Sequence, residues 1–197
     1  MPDAPAPALL FLDVDGPLIP FGGPSHAYPT HPTWPGASGG EATAHPLLHR
    51  FDPRHGPRLS ALPCTLVWAT TWMADANTHL APLLGLPPLE VMHWPEPSAP
   101  DAPTEAYAPT EQDERDERFG LHWKTRGLLS RAAGGPFIWV DDEITDADRI
   151  WVSAHHPGPA LLHRVDPRRG LTDADYAALT AWLAGPSRQP SPWDPDR

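Results

Sequence analysis

The chain has 197 residues, a formal net charge of −11, 40% hydrophobic residues, 29 prolines and a single cysteine. That composition suits a packed core of one-domain size, and it excludes a chain disordered throughout, a broad basic face for phosphate backbones and an intrachain disulfide framework. No run approaches the length of a membrane span and the amino terminus has no basic, apolar leader, so a cytoplasmic location is expected.

In chain order, the first element is the apolar run over residues 8–12, which has no polar alternation and predicts a strand buried on both faces of a parallel sheet. It runs into Asp13-Val14-Asp15-Gly16. On an extended chain Asp13 and Asp15 point the same way, and Gly16 lets the chain turn sharply. Two carboxylates at the end of a buried strand are costly unless a cation sits between them. Residues 20–48, rich in Pro, Gly, His and Ser, follow as a long loop. His26, His31, His45 and His49 within it lack metal-ligand spacing and read as solvated. Residues 52–62 predict a short helix capped by Asp52, with Pro53 at its first position and Gly56-Pro57 limiting its length.

Residues 65–70 predict a second strand, running into Thr70-Thr71-Trp72. Residues 73–84 read as a helix stopped by Gly85 and Pro87-Pro88, and residues 89–93 as a short edge strand. Residues 95–117, proline-rich and acidic, read as a solvated insertion. A helix over residues 122–133 ends at Gly134-Gly135-Pro136. A buried strand over residues 137–140 then runs into Asp141-Asp142-Glu143, followed by a helix over 143–154. Residues 160–165 predict a fifth strand and residues 173–184 the last helix, with Thr172 and Asp175 as a capping pair. Residues 186–197 form a Pro-rich tail expected to be disordered.

Strands alternating with helices predict an α/β fold, a Rossmann-like three-layer sandwich around a central parallel sheet of about five strands. Asp13, Thr70 and the Asp141–Asp142 pair each end a strand, and in such sheets the site lies outside the carboxyl ends of the strands. Three distant segments therefore converge on one crevice. The expected organisation is a single domain over residues 1–185, with loop insertions at 20–48 and 95–117.

The chain carries 13 arginines and one lysine, Lys124. A lone lysine in an arginine-rich chain marks a place that needs a compact ammonium and not a guanidinium fork. It falls near the amino end of the helix over 122–133.

Taken in order, Leu-Phe-Leu-Asp13-Val-Asp15-Gly16, Leu-Val-Trp-Ala-Thr70-Thr71-Trp72, the Lys124 helix start and Trp-Val-Asp141-Asp142-Glu143 resemble the four motifs of the haloacid dehalogenase-like (HAD) superfamily. The likeness is to its capless phosphatases, and more narrowly to the HAD domains associated with RNA-repair proteins. The resemblance implies Asp13 as nucleophile, Asp15 as general acid/base and Lys124 as the cation of the third motif. Thr70, or Thr71 one residue on, is implied as the hydroxyl holding a phosphoryl oxygen. It also implies Mg²⁺, held by Asp13, the Asp15 backbone carbonyl and the fourth motif, with Asp142 as direct ligand, Asp141 as a supporting acid and Asp146 as a further acid. Gly16, Thr71 and Trp72 are expected on the substrate side.

The function so implied is a Mg²⁺-dependent phosphomonoesterase working through an aspartyl-phosphate. Its site is open, because both insertions read as loops, and it would act on nucleic-acid ends or other exposed phosphates. Two other classes stay open: a phosphatase for nucleotides or sugar phosphates, closed over by the 20–48 or 95–117 loop, and a catalytically idle HAD-fold interaction protein. The net charge of −11 argues against tight nucleic-acid binding. Trp72, Trp94 or Trp123 are candidates to stack a base. No membrane partner is expected, and oligomeric state is left open.

Overall fold

The structure is a computed structural model that describes residues 7–31, 47–94 and 111–185. Residues 32–46 and 95–110, and the expected tail over 186–197, lie outside the described residues. Five strands, β1 (Leu9–Leu12), β2 (Thr65–Trp68), β3 (Glu90–Val91), β4 (Phe137–Asp141) and β5 (Ala160–Arg164), form one sheet in the order β3-β2-β1-β4-β5. Every pairing is parallel, with Leu12 opposite Trp68 on one side and opposite Val140 on the other. The fold is α/β and Rossmann-like. The order reverses beside β1, and the crevice of such a sheet opens there, between the ends of β1 and β4.

Period-two alternation divides the strand residues between two faces. Leu10, Leu12, Trp68, Ile138 and Val140 pack on one face against Leu59 of α1 (His55–Ser60), Leu84 of α2 (Ala81–Leu84) and Leu179 of α6 (Asp173–Ala184). Phe11, Val67, Phe137 and Trp139 pack on the other against Leu128 of α4 (Thr125–Ala132) and Val152 of α5 (Asp146–His155). The three layers expected from the sequence are therefore present. No helix among the described residues is long and apolar enough to cross a membrane.

Four elements depart from the sequence reading, each for a local reason. The first helix is regular only from His55, after a turn over Pro53 and Arg54, while the Asp52 carboxylate accepts the Arg54 backbone N–H at 2.9 Å in the manner of the expected cap and also pairs with the Arg54 guanidinium. Gly56, read as a helix breaker, is a contact: a Cβ there would run into the Leu84 carbonyl of α2.

The helix expected over 73–84 starts only at Ala76 and runs as a π-helical stretch to Leu80 before α2. Pro82 has no N–H to continue an i→i−4 ladder, and the Ala81 N–H reaches back to the Ala76 carbonyl. Asn77 in that stretch accepts from the Trp68 indole at 3.0 Å and exchanges two bonds with the Leu89 backbone, tying the stretch to β2 and to the approach to β3.

Residues 111–117, expected as part of a solvated insertion, belong to a helix, α3 (Glu111–Arg118). The helix expected over 143–154 starts at Asp146, because Thr145 and Asp148 form a capping box. Thr172 and Asp175 cap α6 as expected, with the Asp175 carboxylate accepting the Thr172 N–H at 2.7 Å.

Candidate active site

Asp13 follows β1, and its backbone N–H bonds the Val140 carbonyl of β4 at 3.0 Å. That bond fixes the residue beside the end of β4, which carries Asp141 and is followed by Asp142. Each of the three acids offers one carboxylate oxygen within 4.8 Å of the others, and all three are buried. Into this group reaches Lys124, 3% exposed, with its Nζ 2.9 Å from Asp13 Oδ2 and 2.8 Å from Asp141 Oδ2.

The electrostatics follow from that geometry. Burial raises the Asp13 carboxyl to about 7, with Lys124 pulling it down and Asp141 pushing it up. Burial, then the Asp141 charge, raises Asp142 to about 6. Burial works against the Lys124 ammonium, but the Asp13 and Asp141 carboxylates outweigh it and hold the lysine above its ordinary value. With all four groups ionised, three negative charges face one positive, leaving a net charge of −2 in a poorly solvated place.

The acids differ in what remains available on them. Asp141 Oδ1 accepts the Glu143 N–H at 2.9 Å, and Oδ2 accepts both Lys124 and the Trp139 indole N–H at 3.1 Å. Asp13 Oδ1 accepts the Val14 N–H at 2.8 Å. Among the described residues, no other side chain or neighbouring backbone N–H donates to the Asp142 carboxylate. Gly16, at φ +84°, lies directly against that carboxylate, and a Cβ there would overlap it. This set fits a hard divalent cation, which takes oxygen ligands and neutralises charge. Asp13 and Asp142 supply the less encumbered oxygens.

Asp15 lies on the hydrogen-bonded turn after β1, in which the Leu18 and Ile19 N–H groups share the Val14 carbonyl and Gly16 N–H bonds Ile19. The Trp72 indole N–H donates to Asp15 Oδ2 at 3.0 Å. Trp72, expected on the substrate side, is thus half-buried and engaged with the expected acid/base. Thr70 is wholly buried: its hydroxyl accepts the Trp72 N–H at 3.3 Å and its carbonyl accepts the Trp94 indole N–H at 3.1 Å. Thr71 is the exposed member of the pair. Asp146, expected as a further acid of the fourth motif, is instead the first residue of α5, with its side chain 98% exposed and Arg149 Nε at 3.9 Å. It stands outside the cluster.

Sequence reasoning missed what holds Lys124. The fully buried Asp148 of α5 accepts the His122 backbone N–H at 2.8 Å and the Thr125 hydroxyl at 2.6 Å, bracketing the lysine from both sides. His122 Nδ1 accepts the Lys124 backbone N–H at 3.1 Å, so Nε2 carries the proton and faces Glu143 Oε2 at 3.1 Å. The His122, Asp141 and Glu143 group, compact enough for a metal, is therefore accounted for as a hydrogen-bonded chain. The Thr145–Asp148 pair was the one sequence signal for this support, since a capping box places an acid at the start of a helix.

A search of curated proteins and of solved structures finds no match to the chain. A family model does match, over residues 9–176, which spans β1 through the first turn of α6 and includes every residue of the cluster. Membership of that family carries a HAD-type phosphoryl-hydrolase scaffold in which an acidic metal site is general, and the carboxylate group around Asp13 has that character. The chain belongs to the family of HAD domains in Swiss Army Knife RNA repair proteins.

Proposed function

We propose that this chain is a Mg²⁺-dependent phosphomonoesterase that forms and hydrolyses an aspartyl-phosphate on Asp13, with nucleic-acid ends as substrates. The observation that carries the reading is the Lys124 ammonium, buried between Asp13 and Asp141, with the unencumbered Asp142 carboxylate against Gly16. A lysine so placed lets the Asp13 carboxylate approach a phosphoryl group whose own charge would otherwise repel it.

In the first half-reaction an Asp13 oxygen attacks phosphorus, the bond to the leaving oxygen breaks, and Asp15 gives that oxygen its proton. In the second, Asp15 takes a proton from the attacking water, the bond between phosphorus and Asp13 breaks, and inorganic phosphate leaves with Asp13 restored. The Trp72 indole, bonded to Asp15, keeps that carboxyl in one orientation through both steps. Lys124, with the Thr70–Thr71 hydroxyls at the end of β2, serves the phosphoryl oxygens. Asp13, the Asp15 backbone carbonyl and Asp142, with Asp141 in support, would hold Mg²⁺, which would supply charge neutralisation when bound.

Turnover of 3′- and 5′-phosphorylated oligonucleotides and of phosphorylated metabolites, with Mg²⁺ and with chelator, tests this reading. Phosphate release from oligonucleotide ends is the expected result. Release confined to small metabolites would move the substrate class, and release from none would leave the chain a non-catalytic member of its family.

A further inference from the structure

Arg54, Arg58, Arg126, Arg131 and Arg149 each pair with a carboxylate. Arg164, Arg168 and Arg169, all exposed, form no ion pair with a carboxylate among the described residues, and neither do the exposed Arg115 and Arg118 of α3. What sets the first three apart from Arg115 and Arg118 is their place in the fold, on segments that adjoin the active site. The three stand together at the rim of the active site. Arg164 ends β5 opposite Asp141, and its Nε donates to the Asp142 backbone carbonyl at 2.9 Å. The segment carrying Arg168 and Arg169 is fastened to the segment that follows Asp15. Phe21 N–H bonds the Pro167 carbonyl at 2.8 Å, Leu171 N–H bonds the Pro17 carbonyl at 2.9 Å, and the Arg168 side chain lies beside Gly22.

The geometry points to a second phosphate-binding subsite, in which Arg164, aided by Arg168 and Arg169, takes the phosphodiester adjoining the terminal phosphate of a single-stranded nucleic-acid end. The inference rests on the phosphoryl-hydrolase reading of the neighbouring carboxylates and names how its substrate is chosen. With Nε tied to the Asp142 carbonyl, the Arg164 guanidinium is oriented and still has its two terminal amino groups to offer an oxyanion in a fork. The anchor is the residue after β4, so the subsite and the reaction centre keep a fixed separation. A local cationic rim also reconciles an acidic chain with a polyanionic substrate. The rest of the surface repels the backbone, and only the end that reaches the carboxyl edge of the sheet is held.

The test is fluorescence anisotropy of a labelled, terminally phosphorylated single-stranded oligonucleotide, titrated with wild type, Arg164→Gln, the double variant Arg168→Gln/Arg169→Gln and the triple variant that combines them. Thermal melting checks that each variant is folded, and p-nitrophenyl phosphate turnover is measured alongside. Arg164→Gln is expected to weaken oligonucleotide binding on the order of tenfold, the loss of one charge-assisted contact. Removing all three charges should flatten the log–log salt slope by about 2. The loss on oligonucleotide should exceed any loss on p-nitrophenyl phosphate by about the same tenfold. A nucleoside bisphosphate that competes as well as the oligonucleotide would assign the subsite to a lone second phosphate, and weaker competition would assign it to a backbone. Unchanged binding and slope in the variants, or no binding by wild type, would overturn the subsite. Arginine-dependent binding without phosphate release would overturn the phosphatase reading and keep the subsite, and phosphate release with arginine-independent binding would do the reverse.

Discussion

Lys124 lies as close to Asp141, at 2.8 Å, as it does to the proposed nucleophile Asp13. Asp141 is fully buried with both oxygens engaged, so it acts as a fixed stop against which the ammonium is held. A guanidinium is wider and planar and cannot occupy a gap set by two carboxylates on neighbouring strand ends. Lys124→Arg is expected to fold and to lose most phosphatase activity. Arg126→Lys, two residues along, touches only Asp116 and the Trp151 ring at the surface and should leave activity unchanged. Turnover of the two variants beside wild type decides the point. Equal activity in Lys124→Arg would remove the lysine from the reaction.

Asp13→Asn keeps the size of the side chain and removes the attacking carboxylate, so turnover of every substrate should vanish. The same change relieves a charge that burial and Asp141 disfavour, so without metal the variant should melt no lower than wild type at pH 8. Asp15→Asn should cost roughly 10²–10⁴-fold in rate, the range for a lost acid/base group, and should accumulate phosphoenzyme visible by mass spectrometry. A residual tenth of wild-type turnover in Asp13→Asn would contradict the covalent route.

Metal and protons compete for the same carboxylates. Asp13 at about 7 and Asp142 at about 6 stay protonated in the metal-free native state at pH values where the unfolded chain, near 3.8, has released those protons. The contribution of these two carboxyls to native stability without metal therefore falls as pH rises from about 4 to about 7. Mg²⁺ should restore it most above pH 7 and least near pH 5. At about 100-fold over its dissociation constant, Mg²⁺ adds roughly 2.7 kcal/mol, or a melting shift of roughly 5–10 °C for a chain of this size. Differential scanning fluorimetry at pH 5 and pH 8 checks the sign, and Asp142→Ala should abolish the shift.

A separate pH dependence arises at His55. His55 packs against Tyr176, its Nδ1 2.9 Å from the phenol oxygen, and burial lowers its value to about 4. His55 binds a proton near 6.5 in the unfolded chain and not in the native one, so its contribution to stability is full above 6.5 and is lost as pH drops toward 4. The limit is about 3 kcal/mol. His55→Gln should flatten the dependence of urea midpoint on pH between 6.5 and 4, and an unaltered slope would assign the acid lability elsewhere.

Legibility in the sequence tracked periodicity. The apolar runs of β1, β2 and β4 were identified by composition alone, and the acids that follow β1 and β4 and the threonines that follow β2 came with them. The short β3, expected over 89–93 between Pro87-Pro88 and the Pro-rich stretch from residue 95, is present as Glu90–Val91. What stayed hidden was support that crosses between elements. Nothing in the spacing of Asp148 shows that it will accept from His122 and Thr125 on another helix. Nothing in Trp72 shows that its indole N–H turns to Asp15. The π-helical stretch was hidden for the same reason, since Asn77 takes its partners from β2 and the approach to β3.

The central position of β1 bears on how the protein folds. Leu12 pairs with Trp68 on one flank and with Val140 on the other, so β1 is enclosed only when a strand far along the chain joins it. Pairings so far apart in sequence pay loop-closure entropy before they gain contact energy, which makes the joining of β1 to β4 the slow event of folding. That event also brings Asp13 to Asp141 and Lys124. The ion pairs of Lys124 with Asp13 and Asp141 therefore form together only when β1 and β4 are side by side.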